Sequence, residues 1–334
     1  MRSNLQLNQL ITSLKGEPLA VSPAYWQAFE SELSTLANTI TGAEIDRRRE
    51  AVAARLMSAS GSPAGGVQVN LNNSSSTPKK SIAHLQLTGL MLSQDFLWIR
   101  GVNHLTAELT AADSNPNIAA VLLEVNSGGG MVTAGQMLAA TIEGMSKPVV
   151  VFTHFMASAA IMGTLPANKI VASSPGVEVG SIGTMLKVDK VAAEVERTRY
   201  LTIYADKSTK KNHAHRSALR GDYQPLTQKV NQVNKMFLAA VKEHRILKGD
   251  VNGTLSGEMF MAAEAKQRGL IDDIGGYQKA LIWINHCLKF KERPGRVARL
   301  QSRSTTPQAN PGKRVYLNTP MSQKISASLA GRKK

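Results

Sequence analysis

Between residues 81 and 285 the sequence alternates short, apolar, β-branched runs with longer stretches of helical spacing, an order that few architectures accommodate. Ile82–Leu87, Ala119–Val125, Pro148–Thr153, Lys169–Ala172 and Leu201–Ala205 read as strands. Leu97–Asp113, Val132–Ile142 and Leu226–His244 read as helices. In the last of these Leu226, Val230, Val233, Phe237, Ala240 and Val241 recur at spacings of three and four. Ala119–Val125 is an almost unbroken apolar run, which implies a strand covered on both faces. Strand–turn–helix units with buried strands imply an α/β fold built on parallel strands.

The flanks differ in composition. Residues 1–60 read as a helical N-terminal extension, and residues 61–80, with Gly, Pro and the run Asn72-Asn73-Ser74-Ser75-Ser76, as a flexible linker. Residues 81–287 form the α/β domain, and residues 288–334 a basic tail. The tail holds twelve Lys or Arg against the single acid Glu292, so +11 of the net charge of +16 sits there. It lacks hydrophobic periodicity and is expected to be disordered. Its charge suits an acidic partner or nucleic acid, but an equally ordinary reading is a solvated tail. The single cysteine, Cys287, rules out an internal disulfide framework and argues against a Cys-based metal site. Apolar runs such as Val149–Phe152 fall far short of the ~18 residues of a membrane span. Met1–Thr12 has no compact apolar signal segment. A cytoplasmic protein without cofactor or metal is expected.

Two strand-to-helix junctions carry potential chemistry. Asn126-Ser127-Gly128-Gly129-Gly130 places three glycines where a strand ends and a helix begins. There the backbone turns sharply and a ligand can approach main-chain N–H groups. Such groups suit a phosphate or an oxyanion, although neither GxGxxG nor GxxxxGK[ST] is present. A tight turn without function is the plain alternative. The second junction is Ser158 between Ala157 and Ala159, either a helix N-cap or a nucleophile with an accessible hydroxyl. A serine nucleophile needs a base. Residues 159–212 contain no histidine; His154 lies just before Ser158, and His213 and His215 sit in a polar, basic loop. Lys207, Lys210 and Lys211 cluster after Leu201–Ala205, and a lysine there must lose its charge through burial or positive neighbours to serve. Taken alone, such a cluster is a solvated surface patch.

Together these segments resemble the Ser–Lys signal peptide peptidase family, a branch of the Clp-protease/crotonase fold. Asn126–Gly130 is similar to that family's Asn-Ser-Pro-Gly-Gly turn, with Gly128 in place of proline. Ala157-Ser158-Ala159 is similar to its nucleophile segment, with Ala159 where many members have glycine. Gly180-Ser181-Ile182-Gly183 matches its Gly-Ser-Ile-Gly, and Ser256-Gly257, Ala262–Lys266 and Gly269–Gly275 its C-terminal signature. The resemblance implies Ser158 as nucleophile, Gly129, Gly130 and Ala159 as the oxyanion hole, and Ser181 as an orienting hydroxyl. It implies a lysine base, which spacing from Ser158 places at Lys210, with Lys211 and Lys207 as alternatives. It also implies a homo-oligomer in which a neighbouring copy completes the base.

Gly16–Tyr25 looks like the opening of phage and prophage head-maturation proteases. The expected role is therefore an endopeptidase cleaving scaffold or capsid proteins, and itself, in the host cytoplasm or procapsid interior. A bacterial signal-peptide-peptidase-like protease and an acyl-CoA enzyme of the crotonase fold are the alternatives. A third reading is a non-enzymatic, nucleic-acid-binding capsid component.

Overall fold

The computed structural model describes residues 18–22, 26–31, 43, 47, 74, 77–96 and 99–295. Most of the expected helical extension and linker, and nearly all of the basic tail, lie outside the described residues. In chain order the elements are β1 (Leu19–Val21), β2 (Ser81–Thr88), α1 (Val102–Ser114), β3 (Ile118–Ser127), β4 (Gly129–Met131) and α2 (Val132–Gly144). Next come β5 (Val149–Ala157), α3 (Ala159–Thr164), β6 (Lys169–Ala172), β7 (Glu178–Gly180), α4 (Lys190–Arg199) and α5 (His213–Leu219). The series closes with α6 (Gln224–His244), α7 (Val251–Thr254), β8 (Met259–Met261), α8 (Ala262–Gln267), β9 (Asp273–Ile274) and α9 (Tyr277–Phe290).

β2, β3, β5, β6 and β9 lie side by side in that order, all parallel, and β7 joins the far end of β5, also parallel. β8 pairs with β7 and β1 with β4, both antiparallel. The period-two alternation of strand side chains sorts the sheet into two interiors. Val121, Leu123 and Val125 of β3 and Val149 and Val151 of β5 pack with Leu105 and Leu109 of α1 and Leu138 and Ile142 of α2. Ala120, Leu122, Val150 and Phe152 face the other way, onto Ala280, Ile284 and Cys287 of α9. Both faces are therefore dry, which explains why these strands read as continuous apolar runs rather than alternating ones.

β5 is longer than its apolar run because of a bulge. Val125 pairs with Thr153 but Asn126 with Phe155, leaving His154 as the extra residue. His154 reaches Glu124 at 2.8 Å, and His84 of β2 reaches the other oxygen of the same carboxylate at 2.8 Å. Burial alone would raise the Glu124 pKa; hydrogen bonds from His154 and Gln86 and the charge of His84 outweigh it and hold the carboxyl below its usual value.

Two elements differ from the sequence expectation. The first helix begins at Val102, not Leu97. The Asp95 carboxylate accepts the Gly101 N–H at 2.8 Å, and Gly101 is extended (φ −75°, ψ 159°), so the helical turn cannot start earlier. Leu201–Ala205 is not a strand: it has no ladder partner, and Leu201 and Ile203 are 89% and 86% exposed. Its alternating apolar residues satisfy a strand pattern locally, but no sheet edge among the described residues lies beside them.

The junction of β6 and β9 rests on the partly buried Asp272, which pairs with the buried Arg245 and, at 3.7 Å, with Lys169. Asp272 accepts the Ile170 N–H at 2.8 Å and pairs with Arg245 at 3.0 Å, while Arg245 Nε donates to Gly269 O at 3.1 Å. Removing one partner of a buried pair strands the other charge. Asp272→Ala is expected to cost about 3–5 kcal/mol in urea unfolding, whereas breaking the exposed Glu194–Arg197 pair should leave the urea midpoint near that of wild type.

Candidate active site

Three neighbouring parallel strands end together: β3 at Ser127, β5 at Ala157 and β7 at Gly180. The segments singled out in the sequence follow these three ends, so the sheet topology gathers them at one carboxyl edge, where open α/β sheets place their ligands.

At the end of β5 the chain turns abruptly into α3. Ser158 occupies the turn with φ 57° and ψ −115°, an unusual conformation for a residue with a Cβ. Its N–H donates to Gly180 O at 3.0 Å, its carbonyl accepts the Met162 N–H at 3.0 Å, and its hydroxyl donates to Gly183 O at 3.3 Å. The side chain makes no cap bond to its own helix, which removes the simple N-cap reading. Ser158 is also fully buried.

The glycine turn abuts this serine. A Cβ on Gly129 (φ +92°) would lie 2.8 Å from Ala159 N and 2.9 Å from Ala157 O, so only glycine brings the two turns this close. The turn is braced from behind: Ser127 Oγ donates to Gly89 O at 2.6 Å and accepts the Gly129 N–H at 3.2 Å. Met91 binds the next stretch, donating to Gly129 O and accepting from Met131 N–H, each at 2.9 Å. Gly130 is left with its N–H on the opposite edge of β4. The third turn is pinned by β8: Ser181 N–H donates to Glu258 O at 2.6 Å, and a Cβ on Gly180 would lie 2.2 Å from the same oxygen. Ser181 is buried with φ 55°.

Ser158, Gly129, Gly130, Ala159 and Ser181 are thus gathered in one place. The lysines are not. Lys207, Lys210 and Lys211 are all exposed in the loop before α5. Lys210 lines a cavity of about 610 Å³ with Lys187, His213, His215 and Lys229, and neither Ser158 nor Gly129 borders it. The histidines weighed as bases lie elsewhere too: His154 binds Glu124, and His215 binds Glu196 at 2.9 Å. Three features were missed in the sequence: the Gly183 carbonyl as acceptor for Ser158, Met91 as brace, and β1 lying along the glycine turn. Leu19-Ala20-Val21 is a β-forming run, but three residues carry too little pattern to place it.

His286, Cys287 and Glu292, at the end of α9, form a separate group with ligand atoms within 4.8 Å of one another. The Cys287 thiol donates to Glu292 at 3.2 Å. Burial first, then Glu292, push its pKa up to about 12. Cys287 and Glu292 form a hydrogen-bonded pair with the His286 imidazole at its rim. Native Cys287 should resist iodoacetamide at pH 8 and react fully in urea, as read by mass spectrometry; rapid native labelling would contradict this environment.

Residues 142–290 match the model of peptidase family S49, and residues 90–173 that of Clp protease. Among curated relatives, the MJ0651 protein of Methanocaldococcus jannaschii is 32% identical over 177 residues, 51% of this chain and 56% of that one. Protease 4 of Salmonella typhi is 27% identical over 192 residues, 56% of this chain and 31% of that protein. The chain therefore spans about half the length, or less, of these two relatives. Capsid assembly protease C of Escherichia phage lambda is 25% identical over 313 residues, 88% of this chain and 69% of the phage protein. The parallel sheet and these matches agree on a Clp-type α/β fold. No helix among the described residues is long and apolar enough to cross a membrane.

Proposed function

We propose that this chain, whose residues 142–290 match peptidase family S49 and residues 90–173 Clp protease, is a serine endopeptidase that uses a Ser–Lys pair. The observation that carries the reading is the strained strand-to-helix turn at Ser158 packed against a glycine turn that only glycine can form. Ser158 Oγ attacks a peptide carbonyl, and a neutral lysine amine takes its proton. The N–H groups of Gly130 and Ala159 hold the developing oxyanion, while that of Gly129, expected from the sequence as a further donor, is turned back onto Ser127 Oγ at 3.2 Å. The lysine returns the proton to the leaving amine, and water then releases the acyl group from Ser158. Ser181 orients the lysine.

The base is Lys210, with Lys211 and Lys207 as alternatives, and it reaches Ser158 through assembly. The lysine loop follows a stretch in which Val191, Tyr200, Leu201 and Ile203 are largely exposed, an apolar surface suited to a second copy of this chain. Burial at such an interface would strip the amine of its charge. The match to the phage capsid assembly protease runs over 88% of the chain and favours a scaffold or capsid protein as substrate.

The test is hydrolysis of an unfolded protein by the full chain and by Lys207→Met, Lys210→Met and Lys211→Met variants. Lys210→Met should lower the rate at least about 100-fold while the other two keep it. Undiminished hydrolysis in all three would refute the lysine base.

A further inference from the structure

A nucleophile must meet its substrate, yet Ser158 has no exposed surface. The glycine turn beside it is covered by β1. Leu19 exchanges both main-chain hydrogen bonds with Met185, at 2.9 and 2.8 Å, on one edge. On the other edge β1 runs antiparallel to β4, with Leu19, Ala20 and Val21 opposite Met131, Gly130 and Gly129. Ser22 N–H donates to Gly128 O at 2.8 Å and Val132 N–H to Pro18 O at 3.4 Å. Bonded pairs alternate along an antiparallel ladder, so Ala20 opposite Gly130 is a bonded pair and the Gly130 N–H meets Ala20 O. That same oxygen lies 2.3 Å from the Cβ position of Gly129, itself 2.8 Å from Ala159 N.

A five-residue stretch of this chain is therefore held as a strand between two edges, one from the glycine turn and one following the Gly180–Gly183 turn. Its side chains alternate as in an added strand: Leu19 and Val21 enter a pocket with Trp26, Leu90 and Leu92, and Ala20 enters the main core. The Ala20 carbonyl takes up the Gly130 N–H that the proposed mechanism turns on a peptide carbonyl.

We propose that residues 18–22 are an internal occupant of the peptide groove, seated as an added strand antiparallel to β4 and excluding any other until they leave. The identification of that groove with a substrate site rests on the peptidase reading; the occupancy of the groove by this strand does not.

The test uses the full chain with two probes: a fluorescent peptide of residues 16–25, read by anisotropy, and a fluorophosphonate that reports Ser158. Leu19 and Met185 exchange both main-chain bonds, which places their Cα atoms about 5.5 Å apart, within disulfide range. The double variant Leu19→Cys with Met185→Cys locks the strand when oxidised and frees it when reduced, so it carries its own folding control. Ala20→Pro, which removes an N–H from the ladder, loosens the strand. Ala20→Pro should raise peptide affinity and labelling rate at least tenfold over wild type. The oxidised pair should lose both signals and regain them on reduction. Peptide binding that is indifferent to lock and release overturns the proposal, even if Ser158 is labelled throughout. Binding that follows the lock while Ser158 is never labelled upholds it and refutes the peptidase reading instead.

Discussion

Ser158→Ala should lower the turnover of an unfolded protein substrate by at least about 10⁴-fold and abolish fluorophosphonate labelling, while leaving the unfolding midpoint near that of wild type. The size follows from what the hydroxyl does. In the proposed mechanism it forms the covalent bond, so without it only orientation and the amide donors remain. The structural effect is small because the Ser158 hydroxyl makes one long bond, 3.3 Å to Gly183 O, and the bonds that hold the turn are main-chain: Ser158 N–H to Gly180 O and Met162 N–H to Ser158 O. Alanine retains both. Hydrolysis that survives the substitution would move the nucleophile elsewhere; an unfolded variant would show that the hydroxyl serves the turn.

Gly129→Ala should damage both stability and activity. The new Cβ would meet three backbone atoms, Ala20 O at 2.3 Å, Ala159 N at 2.8 Å and Ala157 O at 2.9 Å, none of which is the end of a flexible side chain. The residue also sits at φ +92°, a conformation that costs an L-residue about 1–3 kcal/mol. The two turns must part, which moves the Gly130 and Ala159 amides away from one carbonyl position. Loss of one oxyanion donor alone costs about 10²–10³ in rate. The variant should therefore lose activity by at least that factor and unfold at lower urea. Gly144→Ala is the control: it lies at the end of α2 with nothing within 4 Å of its Cβ position, so its stability should change by less than about 0.5 kcal/mol. Equal behaviour of the two variants would mean that the glycine turn and the serine turn are not packed as described.

Much of this architecture could be read from residues alone. Ala119–Val125 announced a strand covered on both faces, and α1 and α9 bury it. The three strand ends Ser127, Ala157 and Gly180 lie on adjacent strands, so segments distant in sequence converge without any sequence neighbour to reveal it. What could not be read is of two kinds. Leu201–Ala205 has a strand's alternation, but pairing depends on an edge being present, and a local pattern cannot report that. The Leu19–Val21 strand is too short for a periodicity argument, and its position is fixed by main-chain bonds to Met185 and to β4 that no side-chain pattern encodes. The proposed base belongs to the same class. Lysines in a loop rich in charge look alike in sequence, and their distance from Ser158 is set by tertiary and quaternary packing.

The decisive measurement is a crystal structure of the assembled protein, read for the distance from Ser158 Oγ to every lysine amine in the same and adjoining copies. The account predicts one Nζ, that of Lys210, at about 2.6–3.2 Å, with the Gly130 and Ala159 amides directed at the same position. An assembly that hydrolyses peptides while holding every lysine amine beyond about twice that distance would contradict it.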